Sequence, residues 1–142
     1  MRVVAIGAAL AAMMSLGLVA CGDSGGGAST SISATMTDFR FSPDLWEVAA
    51  GEEITIELTN DGSLDHEWVI LRPGVTISDE SELPETEEEL LADFVYWEDE
   101  VEVGDSKTLT FTAPAAGTYQ IICAIEGHFN SGMEGELVAA SG

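Results

Sequence analysis

Hydrophobic and polar residues alternate in several short stretches from about residue 31 onward, and this alternation predicts an all-β domain. In one such stretch Ile54, Ile56 and Leu58 are separated by threonine or glutamate. A two-residue period places alternate side chains on the same face of a strand, so that one face meets the core and the other meets solvent. The turn-forming sequences between these stretches are Ser42-Pro43-Asp44, Ala50-Gly51, Asn60-Asp61-Gly62, Arg72-Pro73-Gly74 and Ala116-Gly117. Short strands at this spacing favour a sandwich or a barrel.

One acidic segment interrupts the strand pattern. Half of the residues from Asp79 to Glu102 are acidic. Thr86 and Glu89 have the spacing of a helix capping box, and acidic residues in a first turn suit the positive end of the helix dipole. We therefore expect a short helix at about residues 86–95, inserted between two strands as a solvated flap rather than a dedicated docking surface. The apolar residues that would cover an edge of the core are Leu90, Leu91 and Phe94.

The N-terminus has the pattern of an export signal. Arg2 is followed by an apolar stretch that ends in Leu18-Val19-Ala20-Cys21, which resembles a bacterial lipobox. An ordinary signal peptide or a retained transmembrane anchor are the alternatives, but so short a stretch with two glycines favours a cleaved signal. We predict a signal peptide at residues 1–20 and lipidation of Cys21.

A flexible tether and one domain follow the predicted signal. Residues 21–30 are rich in glycine and serine, which is typical of a linker, and residues 31–142 have the length of a single domain. The lipid would be the only attachment to the membrane. The expected location is extracytoplasmic, at the cell surface or in a periplasm.

Acidic residues greatly outnumber basic ones and limit the choice of partners. The chain has 26 Asp and Glu against four Lys and Arg, a formal net charge of −22. Nucleic acid and anionic lipid headgroups would be repelled, whereas a basic protein would be attracted. General solubility, or adaptation to high salt, accounts for such acidity equally well.

Three side chains near the C-terminus and one far upstream form a plausible set of metal ligands. If Cys21 is lipidated, Cys123 is the remaining thiol, and a lone thiol in an oxidising compartment would oxidise unless buried or metal-bound. His128 and Met133 follow it at five-residue spacing, each preceded by glycine, and His66 lies far upstream. Thiolate and thioether favour Cu(I) and imidazole accommodates Cu(II), so the set suits copper in both oxidation states.

Longer motifs around these residues resemble the cupredoxin family of blue copper proteins. The resemblance runs from about residue 31 to residue 139, and the loop that carries the last three candidate ligands is its most specific part. The motifs are Phe39-Arg-Phe41-Ser-Pro43, Ala50-Gly51, Asn60 with His66-Glu-Trp68-Val69-Ile70, and Gly117-Thr-Tyr119 with Cys123, Gly127-His128 and Gly132-Met133.

The resemblance implies a Greek-key cupredoxin-like β-sandwich with one type 1 copper ion near one end. It implies that His66, Cys123 and His128 are equatorial ligands, that Met133 is a weak axial ligand, and that electrons exchange through the imidazole of His128. The expected protein is a monomeric electron carrier rather than an enzyme. Its partners would be redox proteins such as a basic cytochrome or a copper oxidase or reductase.

Two positions depart from the family pattern. Family members commonly have Asn after the first histidine and Ser or Thr after the cysteine, where this chain has Glu67 and Ala124. The hydrogen bond that usually joins the two ligand segments is therefore expected to be absent or replaced, and an ionised carboxylate near copper would favour the oxidised state.

Several other functions fit the same residues less well. A cysteine hydrolase needs an orienting group and an open cleft. Methionine is a poor zinc ligand, and a binuclear copper centre needs two nearby cysteines. Copper delivery or storage is the main alternative, although Met36 and Met133 are the only methionines outside the predicted leader, and such sites tend to be methionine-rich. A redox enzyme with an open coordination position would follow if Met133 did not bind.

Overall fold

The computed structural model describes residues 28–142, which form a sandwich of two β-sheets. The predicted signal peptide, Cys21 and most of the predicted tether lie outside the described residues. The strands are β1 (Ser31–Thr37), β2 (Arg40–Ser42), β3 (Leu45–Ala49), β4 (Glu53–Asn60), β5 (His66–Leu71), β6 (Val95–Val101), β7 (Ser106–Thr112), β8 (Gly117–Ile122) and β9 (Glu134–Ala140). Among these residues, no helix is long and apolar enough to cross a membrane.

The strand order brings distant parts of the chain together. One sheet has the order β2-β1-β4-β7 and the other has the order β3-β9-β8-β5-β6. β1 pairs with β4, and β3 with β9, in parallel, while the remaining pairs are antiparallel. The predicted all-β Greek-key sandwich is confirmed.

The main core lies between the two sheets and follows the two-residue period of the strands. In β4 the predicted inward residues Ile54, Ile56 and Leu58 are fully buried. Trp68 packs at the centre of this core, in edge-to-face contact with Trp46 at a centroid distance of 5.3 Å. Cys123 and Met133 belong to the same buried cluster, so the candidate ligands lie at one end of the core.

The segment between β5 and β6 is partly helical, as predicted. A 3₁₀ turn at Glu80–Glu82 precedes an α-helical turn at Glu87–Glu89, which continues as a π-helical turn at Leu90–Phe94. The Thr86 hydroxyl accepts the Glu89 N–H at 3.3 Å, which is half of the predicted capping box.

This insertion packs on the outer face of the five-stranded sheet and forms a second, smaller core. Leu90 and Phe94 contact that core, which includes Val69, Ile122 and Phe129. The expectation for Leu91 was wrong, because that side chain is 40% exposed. Successive residues in a π-helical turn are related by a different angle than in an α-helix. The α-helical spacing expected from the sequence therefore predicted the wrong inward-facing side chains.

Candidate metal centre

Two adjacent strands and one loop position the four candidate ligands. His66 is the first residue of β5, and Cys123 directly follows β8, its antiparallel neighbour in the sheet. His128 and Met133 lie in the loop between β8 and β9. Because β5 and β8 run antiparallel, the start of β5 and the end of β8 lie at the same end of the sheet, and the fold brings His66 close to Cys123 although the two are far apart in the sequence.

The three strongest candidate ligands form one compact cluster. Their donor atoms all lie within 4.8 Å of one another. The Nδ1 atoms of His66 and His128 are 3.2 Å apart, and the Cys123 Sγ lies 3.3 Å from His128 Nδ1. His66 and Cys123 are fully buried and His128 is 6% exposed. Buried imidazoles grouped around a thiol are typical of a metal site rather than of a structural core.

The loop backbone holds Met133 against the other candidates. Its N–H donates to the carbonyl of His128 at 3.1 Å, and its carbonyl accepts the N–H of Cys123 at 3.2 Å. The Met133 side chain is fully buried. Gly127 and Gly132 have φ values of 84° and 100°, a region that favours glycine, as the tight loop requires. The axial role of Met133 stays a prediction.

Burial shifts the pKa values of two of the candidate ligands. It raises the pKa of the Cys123 thiol to about 11, although the backbone N–H of Glu67, 3.4 Å from the sulfur, lowers that pKa in part. Burial, and then the neighbouring His66, lower the pKa of His128. Neutral imidazole is the metal-binding form, whereas the thiol has to lose its proton to bind a metal.

Glu67 and Ala124, the two departures from the family pattern, contact each other. The Ala124 backbone lies close enough to the Glu67 carboxyl to lower its pKa in part, and the Glu67 N–H donates to the Cys123 sulfur at 3.4 Å. The link between the two ligand segments is therefore replaced rather than absent. Burial, followed by the charges of Glu98 and Glu100, raises the pKa of Glu67 to about 7. Near neutral pH this carboxyl is consequently only partly ionised.

Sequence reasoning missed residues that surround the cluster. The Asp38 carboxylate lies 2.8 Å from His66 Nε2, and hydrogen bonds from the Ser63 hydroxyl and backbone lower the pKa of Asp38 to about 2. Phe39 contacts the His128 ring edge-on at a centroid distance of 4.8 Å. Phe39 was part of a recognised motif, but nothing in the sequence indicated that Asp38 would reach a histidine in a distant strand.

Two further contacts stabilise the ligand segments. The buried Asn60 amide donates to the carbonyls of Leu64 and Val101, both at 2.8 Å, and so holds the loop that leads into His66. The Glu80 carboxylate accepts the N–H of Gly127 beside His128. Asn60 belonged to a recognised motif, whereas Glu80 was one acidic residue among many.

The donor set fits copper. One thiol and two imidazoles converge in a buried pocket, with a buried thioether on the same loop, and this mixture of soft and intermediate donors suits both copper oxidation states. Zinc in structural sites is held by four cysteine or histidine donors. The sandwich and its His-Cys-His cluster together define a cupredoxin that binds one copper ion.

Comparison with known proteins gives the same family. Residues 8–139 match the cupredoxin-like domain family, and the chain belongs to the cupredoxins. It is similar to auracyanin-A of Chloroflexus aurantiacus, with 30% identity over 88% of this chain and 90% of the relative. The crystal structure of dithionite-reduced auracyanin from Roseiflexus castenholzii superposes with a TM-score of 0.65 and 29% identity, covering 80% of this chain and 99% of that one.

A second group of relatives is named for copper resistance. The copper-resistant cuproprotein CopI of Rubrivivax gelatinosus is 29% identical over 78% of this chain and 67% of its own length. The solved structure of auracyanin A from Chloroflexus aurantiacus names that protein a blue copper protein, so both groups of relatives have copper in common, while the name of CopI adds copper resistance.

Proposed function

We propose that this protein carries single electrons between redox proteins outside the cytoplasm, tethered to the membrane by a lipid on Cys21. The observation that carries the proposal is the buried His-Cys-His cluster, whose donor atoms all lie within 4.8 Å of one another. A site that needs little rearrangement suits rapid one-electron transfer. The similarity to a dithionite-reduced auracyanin supports the same function.

The surrounding residues limit movement of the ligands. When bound, the copper ion supplies the one-electron chemistry by alternating between its cuprous and cupric states. His66 begins a strand with neighbours on both sides, and the backbone bonds between Cys123, His128 and Met133 close the loop on itself. Donors held by two rigid parts of one sandwich keep their positions while the charge of the site changes.

The proposed route for electrons is the ring of His128. This imidazole is 6% exposed and lies against Phe39, whereas His66 and Cys123 are fully buried. It is therefore the ligand candidate through which a partner could approach the metal most closely.

Replacing Cys123 tests the metal site and the function together. Because thiolate-to-copper charge transfer requires the sulfur, the protein should turn intensely blue or green with Cu(II), and Cys123→Ser should abolish the colour. Cys21→Ser, which changes the chain's other cysteine, should keep it. The coloured protein should titrate reversibly with one electron. A colourless wild-type protein, or an irreversible titration, would contradict the proposal.

Copper delivery or storage is the second candidate, favoured by the similarity to CopI. The burial of His66, Cys123 and Met133 disfavours it, because ligand exchange needs accessible donors. Transfer of Cu(I) from the purified protein to an excess of a soluble cuprous chelator distinguishes the two. An electron carrier should release copper over hours, whereas complete transfer within seconds would favour delivery.

The proposed partners are basic redox proteins, such as a cytochrome or a copper oxidase or reductase. The net charge of −22 and the acidic insertion beside the ligand loop support this choice, because opposite charges steer encounter.

A further inference from the structure

Asp38 lies in the short connection between β1 and β2, at the same end of the sandwich as the metal cluster. Its Oδ1 is 2.8 Å from His66 Nε2, on the side of the ring opposite the cluster. His66 Nδ1 faces His128 Nδ1 at 3.2 Å. The two nitrogens of His66 therefore have separate contacts, one with a carboxylate and one with the metal site.

Asp38 is itself held in place. Its two carboxylate oxygens accept the backbone N–H of Ser63 at 3.1 and 3.0 Å, and Oδ2 also accepts the Ser63 hydroxyl. Several hydrogen bonds to one carboxylate stabilise its ionised form and leave it little freedom to turn. The orientation of the Asp38 carboxylate is thus set by Ser63, independently of the histidine.

Gly62 leaves the space in which this contact forms. A β-carbon at this position would lie 2.5 Å from Asp38 Oδ1 and 2.8 Å from His66 Nε2. Neither distance is sterically possible without a shift. The Gly62 N–H also donates to the Asn60 amide oxygen at 2.9 Å, so the backbone here is fixed close to the pair.

The contact determines which nitrogen of His66 bears the proton. An ionised carboxylate only accepts hydrogen bonds, so a neutral His66 must donate from Nε2. Nδ1 then carries the lone pair, and it faces the cluster. A carboxylate on the far nitrogen of a ligand histidine also makes that ring a stronger donor to a metal.

We propose that Asp38 is a positioning residue that orients His66, selects its Nε2–H tautomer and favours the cupric over the cuprous state of the site. This inference rests on the proposed copper site. The carboxylate charge stabilises the more positive metal state, so loss of that charge should raise the midpoint potential. A tenfold loss of Cu(II) affinity relative to Cu(I) corresponds to about 59 mV for one electron.

Three variants of the full chain separate orientation from charge. Asp38→Ala removes both the acceptor and the charge, whereas Asp38→Asn keeps an acceptor oxygen without the charge. Asp61→Asn removes a nearby exposed charge that forms no hydrogen bond with the His66 ring, and it serves as the control. Nitrogen NMR of the metal-free protein reports the His66 tautomer, while copper competition and redox titration report affinity and midpoint potential.

In the wild-type protein and in Asp61→Asn, His66 should be the Nε2–H tautomer. Asp38→Asn should keep that tautomer and raise the potential above that of Asp61→Asn. Asp38→Ala should mix the tautomers and weaken Cu(II) binding about 10–100-fold. A wild-type Nδ1–H tautomer would overturn the proposal. So would a potential in Asp38→Asn equal to that of Asp61→Asn, and this comparison stands even if Asp38→Ala does not fold.

A wild-type Nδ1–H tautomer of His66 would contradict the role of Asp38 and leave copper binding unaffected. A wild-type protein that binds no copper would overturn the copper site, while the tautomer of His66 in the metal-free protein would still be measurable.

Discussion

His66 and Cys123 each have a neighbour that restrains the donor atom or ring. Asp38 holds the far nitrogen of the His66 ring, and the Glu67 N–H points to the Cys123 sulfur. At the scale of single residues, the site therefore depends on groups that do not belong to the candidate ligand set. Glu67 has the clearest energetic consequence, because its carboxyl is half-buried among other carboxyls.

Glu67 should make the metal-free protein less stable as pH rises. Its pKa is about 7 when folded, against an ordinary value of 4.5, so the folded state holds this proton more strongly. The resulting stability is present below pH 4.5 and is lost as pH rises through about 7. Glu67→Gln should therefore raise the free energy of unfolding at pH 8 by about 1–2 kcal/mol, after allowance for solvent screening.

Urea unfolding of the metal-free protein at about pH 8 and about pH 4 measures this effect. The gain should be largest at the higher pH and small at the lower one, where the wild-type carboxyl is largely protonated in both states. Glu57→Gln changes an exposed glutamate in β4 and serves as the control. Equal stabilities of Glu67→Gln and wild type at the higher pH would show that the carboxyl is not penalised by burial.

At the scale of elements, the insertion between β5 and β6 supports the ligand loop. The Glu80 carboxylate accepts the Gly127 N–H at 2.6 Å, and the Glu80 N–H donates to the side chain of Asn130 at 3.0 Å. Phe129 belongs to the small core that the insertion forms with the sheet. The insertion thus contacts the loop on both sides of His128, which a purely solvated flap would not do.

Removing the Glu80 carboxylate should loosen this loop. We expect Glu80→Ala to cost about 1 kcal/mol of stability, the usual contribution of one partly exposed hydrogen bond. Amide hydrogen exchange at Gly127 should accelerate by more than the roughly fivefold change that a global loss of about 1 kcal/mol would cause in the amides in the middle of β4. Glu85→Ala, which removes an exposed acidic residue of the same insertion, should have neither effect. Unchanged protection of Gly127 would mean that the contact does not restrain the loop.

At the scale of the whole molecule, acidic residues dominate the surface, and they lie at different distances from the metal centre. Glu87 and Glu88 lie in the insertion beside the metal end, and Glu87 is close enough to influence Glu67. Glu52 and Glu53 lie at the opposite end of β4, and a strand of this length spans about 25 Å. The chain therefore offers two exposed glutamate pairs that differ mainly in their distance from the site.

Paired charge removal tests whether the insertion guides basic partners. Electron transfer to a basic cytochrome should slow as salt rises, because screening weakens attraction between opposite charges. Glu87→Gln with Glu88→Gln should lower the association rate severalfold at low salt and flatten its salt dependence. The matched change of Glu52 and Glu53 should have little effect. Equal effects of the two pairs would indicate general attraction to the acidic molecule, not docking near the ligand loop.

The alternation of polar and apolar residues predicted a sandwich or a barrel, because strand periodicity is a local property of the sequence. The resemblance to the cupredoxins implied the Greek-key sandwich and the ligand roles, for a set of cysteine, histidine and methionine donors that suits copper. The second core and the orientation of the ligands were decided by the tertiary structure. Asp38 reaches His66, and Glu80 reaches Gly127, because strand order and an inserted segment place them together. No periodicity or local propensity encodes such contacts, since they depend on how separate elements pack.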